Sequence, residues 1–148
     1  YENDYEFIMD RGIELKTGED ATIITTGSIT HDVLIAAKEL EQDNISVRVI
    51  NINTIKPIDK KIILKAARET GTILTVEEHY IEGGFGSSVA SVILEENMSQ
   101  IKFKRLGIQD YFCSFYGNHE ELKSHYGIGK YDIIREVKNL YKSWGVWK

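Results

Sequence analysis

Residues 47–76, VRVININTIKPIDKKIILKAARETGTILTV, carry the decision about the fold. The stretch opens with Val47 to Ile52, short and β-branched, and closes with Thr72 to Val76 of the same character. Between them Ile62, Ile63, Ala66 and Ala67 recur at helical spacing, so one strand, one amphipathic helix and a second strand follow in order. Asp59 after Pro57 supplies the helix N-cap and Gly71 its stop, because an aspartate oxygen accepts the free N–H groups of a first turn and glycine tolerates the left-handed turn that ends one. A strand–helix–strand unit with continuous apolar strands belongs to a parallel sheet buried on both faces.

The same rhythm extends in both directions. Upstream, Ala21 to Thr26 (ATIITT) reads as a strand and Val33, Leu34, Ala37 and Leu40 as one face of a helix. Further upstream, Gly12 to Lys16 alternates and precedes the turn residues Thr17-Gly18-Glu19-Asp20, which predicts an antiparallel strand at the start of the sheet. Downstream, Val89, Val92 and Ile93 mark a helix opening near Gly86, and Ile101 to Leu106 (IKFKRL) a further strand. Asn118-His119-Glu120-Glu121 has capping-box spacing, the helix it starts stops at Gly127, and Ile133, Ile134, Val137, Leu140 and Tyr141 form the face of a last helix. The expectation is a three-layer α/β/α sandwich around a five-stranded, mostly parallel mixed sheet with one antiparallel strand. Tyr1 to Arg11, acidic and aromatic without a period, reads as a connecting arm, and residues 12–148 as one domain.

Composition narrows the function. Lysine and arginine number 18 against 23 acids, a net charge of −5, and no basic cluster interrupts that balance, which argues against a nucleic-acid or anionic-membrane surface. No apolar run approaches the roughly 20 residues that cross a bilayer. Cys113 is the single cysteine, so no internal disulfide forms and a reducing compartment such as the cytoplasm is expected. The chain starts at Tyr1 without an initiator methionine, and the expectation is a processed or excised piece of a longer polypeptide.

Ligand loops of such sheets lie at the carboxyl ends of the parallel strands. Two candidates fall there, Thr26-Gly27-Ser28 and Glu77 to Gly86 (EEHYIEGGFG). In the second, His79, Gly83, Gly84, Gly86 and Ser87 are the residues to watch, as an anion loop or an interface. Helix-start N–H groups receive anions, whereas glycines at a helix start equally serve close packing. As a dinucleotide fingerprint the loop fails, with Val89 where glycine or alanine should stand. Glu77, Glu78 and His79 offer acid/base or metal-ligating groups, but no second histidine stands at ligand spacing from His79, and His119 and His125 are six apart. His31 beside Asp32 sits near a first helical turn, where an anion contact is conceivable and a solvated surface position is expected. No Ser/His/Asp order, nucleophile elbow or phosphate-binding G-x-x-x-x-G-K-[ST] sequence is present, so autonomous hydrolysis and P-loop phosphate chemistry have no basis in the sequence. Trp144 and Trp147 close the chain, as a partner anchor or docked on their own domain.

Taken together, Asp20 to Gly27 (DATIITTG), Ile55-Lys56-Pro57-Ile58-Asp59, Thr75-Val76-Glu77-Glu78-His79 and Gly83-Gly84-Phe85-Gly86-Ser87 resemble, in order and spacing, the C-terminal domain of transketolases. Gly117 to Leu122, then Tyr126-Gly127-Ile128, extend the resemblance, and Asp4-Tyr5-Glu6-Phe7 is similar to the segment leading into that domain. The resemblance implies the sandwich already described. It implies part of an enzyme that uses thiamine diphosphate and magnesium to move a two-carbon ketol unit between sugar phosphates, as in the pentose phosphate pathway. It places the cofactor on pyrimidine- and diphosphate-binding domains in the same or a companion chain, assigns this domain to assembly of a homodimer or dimer of heterodimers, and implies no catalytic, cofactor or metal residue here. The related domains of deoxyxylulose-phosphate synthases and 2-oxoacid dehydrogenase β subunits, and an independent anion-binding regulatory module, are the alternatives.

Overall fold

The structure is a computed structural model and describes residues 8–142. The arm Tyr1 to Arg11 therefore lies largely, and the tail Trp144 to Lys148 wholly, outside the described residues. In chain order the elements are β1 (Gly12–Lys16), β2 (Ala21–Thr25), α1 (Thr30–Leu40), β3 (Val47–Ile52), α2 (Lys60–Thr70), β4 (Thr72–Tyr80), α3 (Phe85–Glu95), β5 (Lys102–Ile108), α4 (His119–His125) and α5 (Lys130–Lys142). The strands form one five-stranded sheet in the order β1-β3-β2-β4-β5. β2 is parallel to β3 and to β4, β4 is parallel to β5, and β1 runs antiparallel to β3. The expected architecture is the one observed, including the single reversed strand.

Strand alternation divides the core. Ile23, Val49 and Leu74 face one side of the sheet, where Val33, Ala36, Ala37 and Leu40 of α1 and Ile133 and Val137 of α5 cover them. Their neighbours Ile24, Ile50 and Ile73 face the other side, under Ile63, Ala66 and Ala67 of α2 and Phe85, Val89, Val92 and Ile93 of α3. Successive side chains of a strand point to opposite faces, so a run such as Ile23-Ile24 serves both cores at once. This is why β2 shows no polar alternation: every one of its residues is buried.

Helix ends follow the sequence signals. Asp59 accepts from Lys61 N and Ile62 N at 3.1 and 3.2 Å, and its second oxygen accepts Gly12 N at 3.0 Å, so one carboxylate starts α2 and pins β1. Gly71 ends α2 at φ 62°. Asn118 and Glu121 exchange the two bonds of a capping box at 3.0 and 2.9 Å. Two expectations need adjustment. Ile62 is only partly buried, and Leu64 joins the enclosed face in addition to Ile63, Ala66 and Ala67. β4 runs to Tyr80 rather than ending at Val76, because past Val76 it keeps pairing with β5 through an irregular register that brings Tyr80 opposite Ile108.

Helix α4 has seven residues, too few to be stable by itself. One of its ties to the domain is Lys123, whose ammonium is buried against Asp32 of α1 and lies 2.6 Å from Glu120 of α4 itself. Burial opposes the charged form of Lys123, but hydrogen bonds and charges from Asp32 and Glu120 outweigh it, so its pKa stands above the ordinary lysine value. A raised folded-state pKa gives stability that is present below the unfolded value of 10.5 and lost as pH climbs through the folded one.

Two stability measurements check this packing. Ile63→Ala, at a fully enclosed position, should cost about 2–5 kcal/mol in urea unfolding, and a neutral effect would contradict the burial. Lys123→Met strands Asp32 and should cost about 3–5 kcal/mol, a difference that holds through neutral pH and shrinks only in strong alkali; Asp32→Leu added to it should recover part of the loss.

Candidate functional site

The strand order creates the site. From β2 the chain passes to β3 on one side and then, by way of α2, to β4 on the other. The loops after β2 and β4 consequently diverge around a crevice at the carboxyl ends of the strands, the ordinary position for a ligand in such sheets. A cleft of about 420 Å³ opens there between Thr26, Gly27 and Ser28, Ile55 and Lys56, and Glu77 to His79 with the glycine loop. The two loops singled out in the sequence thus meet in one cleft. Ile55 and Lys56, from the loop after β3, complete it.

Glu77 controls the inner wall. It is 1% exposed, and its carboxylate accepts Phe85 N at 2.6 Å and Gly86 N at 2.8 Å. The N-cap of α3 is Gly84, which has no side chain to offer, so the cap comes from the preceding strand. A carboxylate at the positive end of a helix is favourable twice over, through the two bonds and through the helix dipole. The approach is close: a Cβ on Gly84 would collide with the Glu77 carboxylate and Tyr80 O, and one on Gly86 would collide with Thr75 Oγ1 and lie 3.0 Å from Glu77 Oε1. Gly83 turns the chain at φ +71°. Ser87 donates to Ile81 O at 3.2 Å and accepts from Arg105 at 2.7 Å. Arg105 also donates to Ile81 O at 2.8 Å, so β5 holds the loop from below. Two of the N–H groups that could have received an external anion therefore carry an internal one.

Glu78, the next residue, points the other way. Ser28 donates to one of its oxygens, and His119 Nε2 of α4 lies 2.6 Å from the other. Serine, carboxylate and histidine are adjacent, but the carboxylate stands between the other two. The imidazole has no contact with the hydroxyl and cannot take its proton, so the trio is not an acyl-transfer arrangement. His79 is exposed, with Nδ1 3.1 Å from Tyr80 O. His31 is exposed on α1, while Asp32 is buried against Lys123.

Sequence reasoning missed the partners of Glu78 and Asp32, because His119 is 41 residues from Glu78 and Lys123 is 91 from Asp32. Among the described residues no three histidine, cysteine or acidic side chains gather to hold a metal. The helix-start amides and carboxylates of this cleft that could meet thiamine diphosphate or magnesium already have partners within the domain. A diphosphate at the start of α3 would compete with Glu77 for the amides of Phe85 and Gly86, and the carboxylates present are engaged by backbone amides, Ser28 and His119.

Glu77→Ala would leave two buried N–H groups without an acceptor, at about 1–3 kcal/mol each. We expect a loss of about 2–6 kcal/mol in urea unfolding and faster amide exchange confined to the first turn of α3. An unchanged midpoint would remove Glu77 from the account.

Comparison with known proteins agrees with this geometry. Residues 11–133 match the family model described as transketolase, C-terminal domain. Mouse transketolase is 40% identical over 143 residues, 95% of this chain and 22% of the mouse protein. The 1-deoxy-D-xylulose-5-phosphate synthase of Halothermothrix orenii is 39% identical over 140 residues, 94% of this chain and 22% of that protein. The solved structure of a split gene transketolase, an inactive β4 tetramer, superposes with a TM-score of 0.87 at 36% identity, covering 96% of this chain and 46% of that one. The chain thus spans about a fifth of the two single-chain relatives and under half of the split-gene chain. With its five-stranded mixed sheet and the match over residues 11–133, the chain belongs to the transketolase C-terminal domain family.

Proposed function

We propose that this chain is the C-terminal domain of a transketolase-like enzyme that uses thiamine diphosphate and magnesium to transfer a two-carbon ketol unit between sugar phosphates. In this reading the cofactor is held by pyrimidine- and diphosphate-binding domains of the same or a companion chain, in the cytoplasm, and the isolated domain is inactive. Its part is to support assembly of a homodimer or a dimer of heterodimers.

The observation that carries the reading is the inner wall of the switch-point cleft, where the Glu77 carboxylate occupies two helix-start amides from inside the domain. A domain whose best anion site is filled by its own side chain is suited to packing rather than to cofactor chemistry. The split-gene relative supports a division of such an enzyme between chains. The near-equal identities to a transketolase and to a 1-deoxy-D-xylulose-5-phosphate synthase support a second reading, in which the complete enzyme is a synthase of that product.

Titration of the isolated chain with thiamine diphosphate and magnesium should give no binding at micromolar concentrations, and micromolar binding would contradict the assembly role. Assay of the complete enzyme for ketol transfer between sugar phosphates, against formation of 1-deoxyxylulose 5-phosphate, separates the two activities.

A further inference from the structure

The two helix layers treat their charges differently. On α5 the cations meet acids within the domain: Lys130 lies 2.7 Å from Glu39 of α1, Arg135 2.7 Å from Asp132, and Lys138 2.7 Å from Asp43. On α2, Lys61, Lys65 and Arg68 are exposed and have no acid partner among the described residues. They stand at i, i+4 and i+7, on one stripe of the helix about 10.5 Å long. Other residues separate them in the chain, so the stripe exists only once the helix forms. The acids nearest to hand are engaged: Glu69 pairs with Arg48 of β3, Glu95 of α3 pairs with Lys60, and Asp59 caps the helix. Like charges at these spacings weaken a helix, and nothing on α2 or α3 relieves them.

Position and charge select the occupant. The switch-point cleft does not include the three cations, so they form a ridge for a chain segment rather than a pocket for a small anion. The chain enters the domain beside this ridge. Asp10 N donates to Thr54 Oγ1 at 3.3 Å and Gly12 N to Asp59 at 3.0 Å, and a Cβ on Gly12 would lie 2.9 Å from Ile62 Cγ2, so β1 begins against the first turn of α2. The residues that precede Ile8, Tyr1-Glu2-Asn3-Asp4-Tyr5-Glu6-Phe7, include three acids and no cation. Tyr1 to Arg11 has no period as a whole, but Glu2, Asp4 and Glu6 occupy every second position. Alternate residues of an extended segment share a side at intervals of about 6.6 Å, against about 6 and 4.5 Å between successive cations along the axis of α2. From Ile8 back to Glu2 the chain reaches up to about 20 Å, enough to span the stripe. We propose that the basic stripe of α2 is the docking site of the acidic arm Tyr1 to Phe7 of the same chain, with Lys61, Lys65 and Arg68 meeting the carboxylates of Glu2, Asp4 and Glu6. The contact sets the direction from which the chain arrives at the domain, and it holds whichever activity the complete enzyme has.

The test joins carboxylates to amines at zero length with a water-soluble carbodiimide on the full chain, residues 1–148, and maps the linked peptides by mass spectrometry. An isotopically labelled batch is mixed with an unlabelled one, so that links within a chain and between chains are told apart. The expected product is an amide between Lys61 or Lys65 and Glu2, Asp4 or Glu6, with both peptides of one label. Peptide pairs of mixed label would give the stripe to a second copy, and links from these lysines to other acids alone would give it to another part of the domain. Either result, or no link from these lysines, would overturn the proposal. Chymotrypsin cleavage after Tyr5 and Phe7 should be at least about threefold faster when Lys61→Glu, Lys65→Glu and Arg68→Glu are combined. Adding Glu2→Lys, Asp4→Lys and Glu6→Lys to that variant should slow it again, relative to the arm substitutions alone. Cleavage that is indifferent to both sets of changes would likewise overturn the docking.

Discussion

A carboxylate from within a strand caps the next helix. Glu77 leaves β4 buried, turns its oxygens onto Phe85 N and Gly86 N, and supplies the cap that Gly84 cannot. The surrounding features depend on that contact. Gly84 and Gly86 must lack side chains for the approach to be possible, and Phe85 is seated where it enters the α2–α3 core. A carboxyl group so deep in the protein is tolerable only because both its oxygens accept hydrogen bonds, since a buried polar group left without partners is costly.

The sheet delivers Glu77 and Glu78 to opposite tasks through the two-residue period of a strand. Glu77 turns into the helix start, while Glu78 reaches Ser28 on the loop after β2 and His119 on α4. Two adjacent acids thereby join four segments at the carboxyl edge of the sheet. That edge is where an enzyme with this topology would keep its reactive groups. Here Glu77 and Glu78 are bonded to groups of the domain itself, and exposed aromatic side chains stand on the segment after β5.

Much of this was legible in the chain. Asp59, Gly71 and the Asn118–Glu121 pair mark helix ends through bonds made within a few residues, and apolar periodicity places the strands because each buried face repeats locally. The extent of β4 was not legible. Glu77-Glu78-His79 reads as loop, since acids are depleted from strands, and only the helix amides eight and nine residues onward make a buried glutamate acceptable there. The glycine loop was located correctly, but the occupant of its amides was not evident, because an internal carboxylate and an external anion make the same demand on sequence. Lys123 against Asp32 left no local trace, as its partner is 91 residues away.

The most direct measurement is the scalar coupling across the hydrogen bonds from the amide nitrogens of Phe85 and Gly86 to the carboxyl carbon of Glu77, recorded by NMR on uniformly labelled protein. Both couplings should be present and unchanged on addition of millimolar inorganic phosphate. Their absence, with the two amide resonances shifting as phosphate is added, would show a helix start open to external anions and contradict an edge closed by its own glutamate.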